Sequence, residues 1–134
     1  APTHHTAQAI ADRPDWASEQ LIRELFDAYG LAYQAILAIA DAEPHLREQV
    51  SDNRKTILAQ IAYAARHEMA MTLGDVLFHR TDAGFLGYPG ETFIQRAADL
   101  LAKELSWDAP RTESEIESVQ RAYQQRGLGV TQIA

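Results

Sequence analysis

Apolar residues return along this chain at the three- and four-residue spacings of helix faces, and the places where that rhythm breaks mark the ends of six predicted helices. Leu21, Ile22, Leu25, Phe26 and Tyr29 share one face of a helix over about 15–29, with Gly30 standing where a left-handed cap would close it. Tyr33, Ile36, Leu37 and Ala40 carry a second helix through about residue 42, which Pro44 stops from two residues away. Ile57, Leu58, Ile61, Ala62 and Ala65 carry a third from about 54 to 69, joined to the second by a polar stretch over 43–53. Thr72 with Asp75 three residues later forms a short-armed capping box, which opens a short helix at residue 73 that ends near 80. Phe93, Ile94, Ala97, Leu100, Leu101 and Leu105 mark a fifth helix. Asp108 caps a sixth, with Pro110 tolerated in its first turn and a thin stripe of Ile116, Val119 and Tyr123. Glu113, Glu115 and Glu117 come early and Arg121 and Arg126 late, the order the helix macrodipole favours.

No segment alternates apolar and polar residues over the four to eight positions a half-buried strand requires. The expected fold is therefore all-α, a compact bundle of about six helices. Residues 1–14 lack periodicity, carry His4 beside His5 and hold two prolines. They are expected to be a linker or an appended end, with the helical domain over 15–126 and a tail over 127–134.

Composition then excludes whole classes of function. The 134 residues include no cysteine, so disulfides, thiolate metal sites and a cysteine nucleophile are absent. The longest apolar runs, such as Ala35 to Ala40, fall far short of the about 20 residues of a membrane span. A formal charge of -7, with Lys55 and Lys103 the only lysines, argues against a nucleic-acid partner.

Candidate chemistry is equally sparse. Gly84, Gly87 and Gly90 fall at every third position with no strand before them, which is an inter-helix loop and not a dinucleotide fingerprint. His67-Glu68 opens like the zinc-protease pattern, yet Met71 stands where the second histidine belongs. No serine lies in a nucleophile elbow; Ser18 and Ser51 look like helix starts. No catalytic, cofactor-binding or metal-binding residue is nominated. What stands out is the charge around the turn between the third and fourth helices: Arg66, Glu68, Asp75 and Arg80. One reading is an ion-pair network that fixes the angle of this corner, with Arg80 reaching Glu68 or the last carbonyls of its own helix. The other has Arg80 and His79 projecting toward a neighbouring domain or an anionic ligand.

The same corner carries a resemblance. Ile61-Ala-Tyr-Ala-Ala-Arg66-His-Glu68-Met-Ala-Met-Thr72-Leu-Gly-Asp75-Val-Leu-Phe-His-Arg80-Thr81 resembles the signature of the C-terminal helical domain of FAD-dependent glycerol-3-phosphate dehydrogenases and alpha-glycerophosphate oxidases. In that family an arginine and a glutamate end one helix, a threonine and an aspartate open the next, and Arg-Arg-Thr closes it. Glu104-Leu-Ser-Trp107-Asp108 with Glu115-Ile116 resembles the family's Trp-Asp motif and the helix after it, and Tyr29-Gly30 the start of the domain. His79 departs from the first arginine of the pair, Gly74 adds a flexible residue, and Ser106 replaces the usual glycine.

The resemblance implies a flavoprotein oxidoreductase parent that oxidises sn-glycerol 3-phosphate to dihydroxyacetone phosphate and passes electrons to quinone. Its FAD and substrate contacts belong to a large N-terminal domain of the parent chain, which is the expected partner. This segment is then an excised, inactive packing domain with no cofactor of its own, cytoplasmic, its parent peripheral at the inner face of the membrane. Arg66, Glu68, Thr72, Asp75, Arg80 and Thr81 carry over as a structural or interdomain corner. A free-standing helical protein-interaction module is the alternative.

Overall fold

Helix α1, His4–Ala11, forms where a linker is expected. Its eight residues bury Thr6 and Ala9, a face too short and too polar to register as apolar periodicity. In a computed structural model, the described residues are 4–80 and 88–125, and every element among them but one isolated bridge, between Gln49 and Ile57, is helix or turn. The protein is all-α. It divides into two units, 1–38 and 39–134, with the division falling inside a helix.

In the first unit, Arg13 ties the end of α1 to the next helix start, donating to the Ile10 carbonyl at 2.7 Å and the Ala17 carbonyl at 3.1 Å. Helix α2 spans Glu19–Tyr29, four residues later than the apolar face suggests, because Ser18 accepts the Leu21 N–H and fixes the start. Gly30 closes it at φ 59, ψ -138, a backbone that favours glycine, and its N–H returns to the Phe26 carbonyl. One 3₁₀ turn over Gly30–Ala32 leads into α3, Tyr33–Ala42.

The second unit begins within α3. The polar stretch after it is more ordered than its composition suggests: Pro44–Arg47 forms a 3₁₀ turn, and Leu46 and Val50 are buried. Arg47 donates to the Ala40 and Asp41 carbonyls, which caps the end of α3. Helix α4, Leu58–His67, is shorter than the expected 54–69. Residues before it close a loop instead, with the Val50 N–H on the Thr56 carbonyl, and Gln60 accepts the Ile57 N–H at 2.9 Å to start the helix. Ser51 is therefore a buried loop residue and not a helix start. Helix α5 is a single turn, Leu73–Asp75, continued by a wider π turn over Val76–Arg80.

Helix α6, Glu91–Leu105, packs on α4 through Phe93, Ile94, Ala97 and Leu101, all buried as the periodicity predicts. Helix α7, Ala109–Gln125, starts on the Asp108 cap, whose carboxylate accepts the Arg111 N–H at 2.8 Å. It inserts only Val119 and Tyr123 into the core, against α5 and α6. Gly84 and Gly87 of the expected loop lie outside the described residues, while Gly90 caps the start of α6 at φ 97.

Ser106 ends α6 in the left-handed conformation, φ 60 and ψ 43, where a side chain crowds the backbone. Ser106→Gly is expected to stabilise the protein by about 0.5–1 kcal/mol, relief of strain outweighing the added freedom of the unfolded chain. An unchanged or lower urea midpoint would count against this.

Candidate functional site

The charged corner assembles around the link between α4 and α5, but with partners other than those nearest in sequence. At the end of α4, Arg66 points its guanidinium at two carboxylates from elsewhere in the fold. Nη1 and Nη2 donate to Glu43 at 2.7 and 3.2 Å, and Nε and Nη2 donate to Glu104 at 2.7 and 2.7 Å. Glu43 lies between α3 and the 3₁₀ turn, and Glu104 in the last turn of α6, so one planar cation fastens three elements. The Arg66 guanidinium holds the Glu43 carboxyl below the usual carboxylate range by hydrogen bonding, and the two carboxylates push the arginine further up.

On the other side of the link, the Thr72 and Asp75 pairing forms as expected. The Asp75 N–H donates to Thr72 Oγ1 at 3.0 Å, and Asp75 Oδ2 accepts from the Thr72 N–H at 3.1 Å and the Met71 N–H at 3.0 Å. Asp75 thus spends a carboxylate oxygen on backbone amides. The first amide of α5, on Leu73, donates to Glu115 Oε1 of α7 at 2.8 Å. The other Glu115 oxygen accepts from Arg111 Nε at 2.9 Å, and the Arg111 guanidinium lies 5.0 Å over the Trp107 ring.

The structure therefore brings Thr72 and Asp75 together, and turns Arg66 away from them toward Glu43 and Glu104. Glu68 is the half-buried residue that ends α4, its N–H on the Ala64 carbonyl. The Arg80 side chain and Thr81 lie outside the described residues. Glu43 and Glu104 are missed by local spacing because Arg66 lies 23 and 38 residues away, whereas Arg111 meets Glu115 at the ordinary four-residue helical spacing. Glu115 has a signal only in the motif after the Trp-Asp pair.

Both carboxylate oxygens of Glu43, Glu104 and Glu115, and Oδ2 of Asp75, are engaged by backbone amides or guanidinium groups, an arrangement that suits a structural clamp. Among the described residues, no group of three or more His, Asp or Glu is placed to hold a metal ion. No helix of the described residues is long and apolar enough to cross a membrane.

A model of the family described as the C-terminal domain of alpha-glycerophosphate oxidase matches residues 3–112. The chain belongs to this family. The match takes in α1 and ends at the start of α7, so it begins earlier than the resemblance at the corner implies and leaves Glu115 beyond it. Among the relatives of this C-terminal-domain family member are proteins named glycerol-3-phosphate dehydrogenase 2 from Mycobacterium tuberculosis and Mycobacterium bovis. Each is 30% identical over 97 residues, which is 71% of this chain and 16% of the relative. A mitochondrial glycerol-3-phosphate dehydrogenase of Arabidopsis thaliana is 29% identical over 96 residues, 71% of this chain and 15% of its own. No solved structure matches. The chain thus spans about a sixth of the length of these relatives.

Proposed function

We propose that this chain is the C-terminal packing domain of an FAD-dependent glycerol-3-phosphate dehydrogenase. Its parent oxidises sn-glycerol 3-phosphate to dihydroxyacetone phosphate and hands the electrons to quinone. The observation that carries the reading is the family match over 3–112, joined by relatives named glycerol-3-phosphate dehydrogenase. In this reading the segment contributes shape and stability, and the flavin and the substrate are held by the N-terminal part of the parent.

Two clefts among the described residues are poorly suited to the flavin. An open cleft of about 510 Å³ at the start of α6 is lined by Ser51, Asn53 and Arg96, but also by Asp52 and Glu91, whose negative charge opposes a pyrophosphate. A second cleft, of about 350 Å³, offers Arg111, whose guanidinium is already engaged by Glu115 and Trp107. No step of the oxidation is therefore assigned to this chain.

The test is direct. Mixed with excess FAD and desalted, the chain is expected to emerge without flavin absorbance and to show no dye reduction dependent on glycerol 3-phosphate; stoichiometric flavin would sink the assignment of a packing domain. The intact parent polypeptide is expected to carry flavin and reduce a quinone analogue with glycerol 3-phosphate, and an intact product lacking both would sink the assignment of the enzyme.

A further inference from the structure

The chain has two methionines, and both stand in solvent: Met69 is 81% and Met71 61% exposed. They lie in the link between α4 and α5. Met69 is held at φ 58, two residues past His67 at the end of α4, while the Ala70 N–H returns to the Ala64 carbonyl at 3.1 Å. Helices that end this way commonly place glycine there, because a Cβ in the left-handed region clashes with the backbone. An exposed thioether recovers none of that strain through burial within this chain. Neither backbone preference nor core packing accounts for a methionine at the position.

Beside the link runs the 350 Å³ cleft, lined by Met71, Leu105, Trp107 and Arg111 among others. Arg111 spans it, with Nη2 3.4 Å from the Met71 carbonyl and its guanidinium over the Trp107 ring. The other non-glycine residue with positive φ among the described residues, Ser106, lines the same cleft. Methionine, tryptophan and arginine are the side chains enriched at the centres of protein interfaces, and methionine adapts its shape to what covers it.

Resting on the reading given under the proposed function, we propose that the face formed by Met69, Met71, Trp107 and Arg111 docks this domain onto the flavin-carrying part of the same parent polypeptide. The relatives extend far beyond the segment matched here, so the domain has a large neighbour tethered to it at high effective concentration. A second copy is disfavoured by the -7 charge each chain carries. The same charge, with two lysines in all, disfavours an anionic lipid surface.

The two methionines are the only ones in this chain, and both lie on this face, so sulfoxide located at them by peptide mass reports on it. The chain by itself, once circular dichroism has established that it is helical and melts cooperatively, and the intact parent flavoprotein are treated with dilute hydrogen peroxide, and sulfoxide at Met69 and Met71 is followed by peptide mass. Both are expected to oxidise about tenfold more slowly in the intact protein. Equal rates in a parent that carries flavin would overturn the docking face and leave the proposed function standing. A parent without flavin would overturn both. Protection that appears in the isolated chain as its concentration rises would overturn the proposal in favour of self-association. As a second reading, Met69→Gly, which suits the backbone, is expected to leave the melting of the isolated chain unchanged or higher while making the intact protein severalfold more sensitive to limited proteolysis; unchanged sensitivity would count against the face.

Discussion

Arg66→Met is expected to lower stability by about 2 kcal/mol at pH 7, and by much less at pH 3. Methionine keeps the length and apolar stem of arginine, so what is lost is the guanidinium and its four bonds to Glu43 and Glu104. The side chains of Arg66, Glu43 and Glu104 are 31%, 35% and 16% exposed, which places the cluster between two limits. Exposed pairs contribute about 0–1 kcal/mol, and breaking fully buried pairs costs about 3–5 kcal/mol. The variant also leaves two carboxylates facing each other without their shared cation.

The sign of the pH effect follows from Glu43. Its carboxyl sits below the ordinary glutamate range of about 4.3 in the folded state, so its contribution is complete above that range. It fades as the pH falls through the lower folded value. Urea titrations of both proteins at pH 7 and pH 3 check this, and a difference that stays constant or grows on acidification would exclude the clamp as its source.

Glu115→Ala is expected to cost about 2 kcal/mol, and Glu115→Gln about half of that. The carboxylate is 15% exposed and serves two donors at once, the Leu73 N–H and Arg111 Nε. Alanine strands the first amide of α5 and removes the anion from beside Arg111. Glutamine keeps an oxygen for Leu73 but not the charge. In thermal melts, the alanine variant should lose roughly 5–10 °C, with glutamine between it and the parent sequence. Equal melting of the two variants would show that the amide at Leu73 is indifferent to its acceptor.

How much of this is legible in the sequence depends on how far apart the partners lie. Thr72 and Asp75 are three residues apart, and their reciprocal bonds form as read. The buried face of α6 follows from its period, and so does the thin stripe of α7. Helix α1 is hidden because eight residues give only two turns of pattern. Leu46 and Val50 are hidden because a buried pair inside charged residues does not make a periodic face. At the corner, the sequence groups Arg66 with the charges beside it, whereas folding presents it with Glu43 and Glu104. Choosing among possible partners for a long flexible cation requires knowing which helices pack, and α4 against α6 is a tertiary fact. The motif containing Glu115 is visible, but the backbone amide it serves belongs to another helix.

That single bond also bears on where the folding unit can be cut. The family match stops at residue 112, between Arg111 and the glutamate it holds. A segment trimmed to that border keeps Thr72, Asp75 and the whole α4–α6 interface, yet discards the acceptor for Leu73 and the Val119 and Tyr123 that close the core. A minimal version of this unit is therefore expected to run on through Tyr123, past the border of the most recognisable part of the sequence.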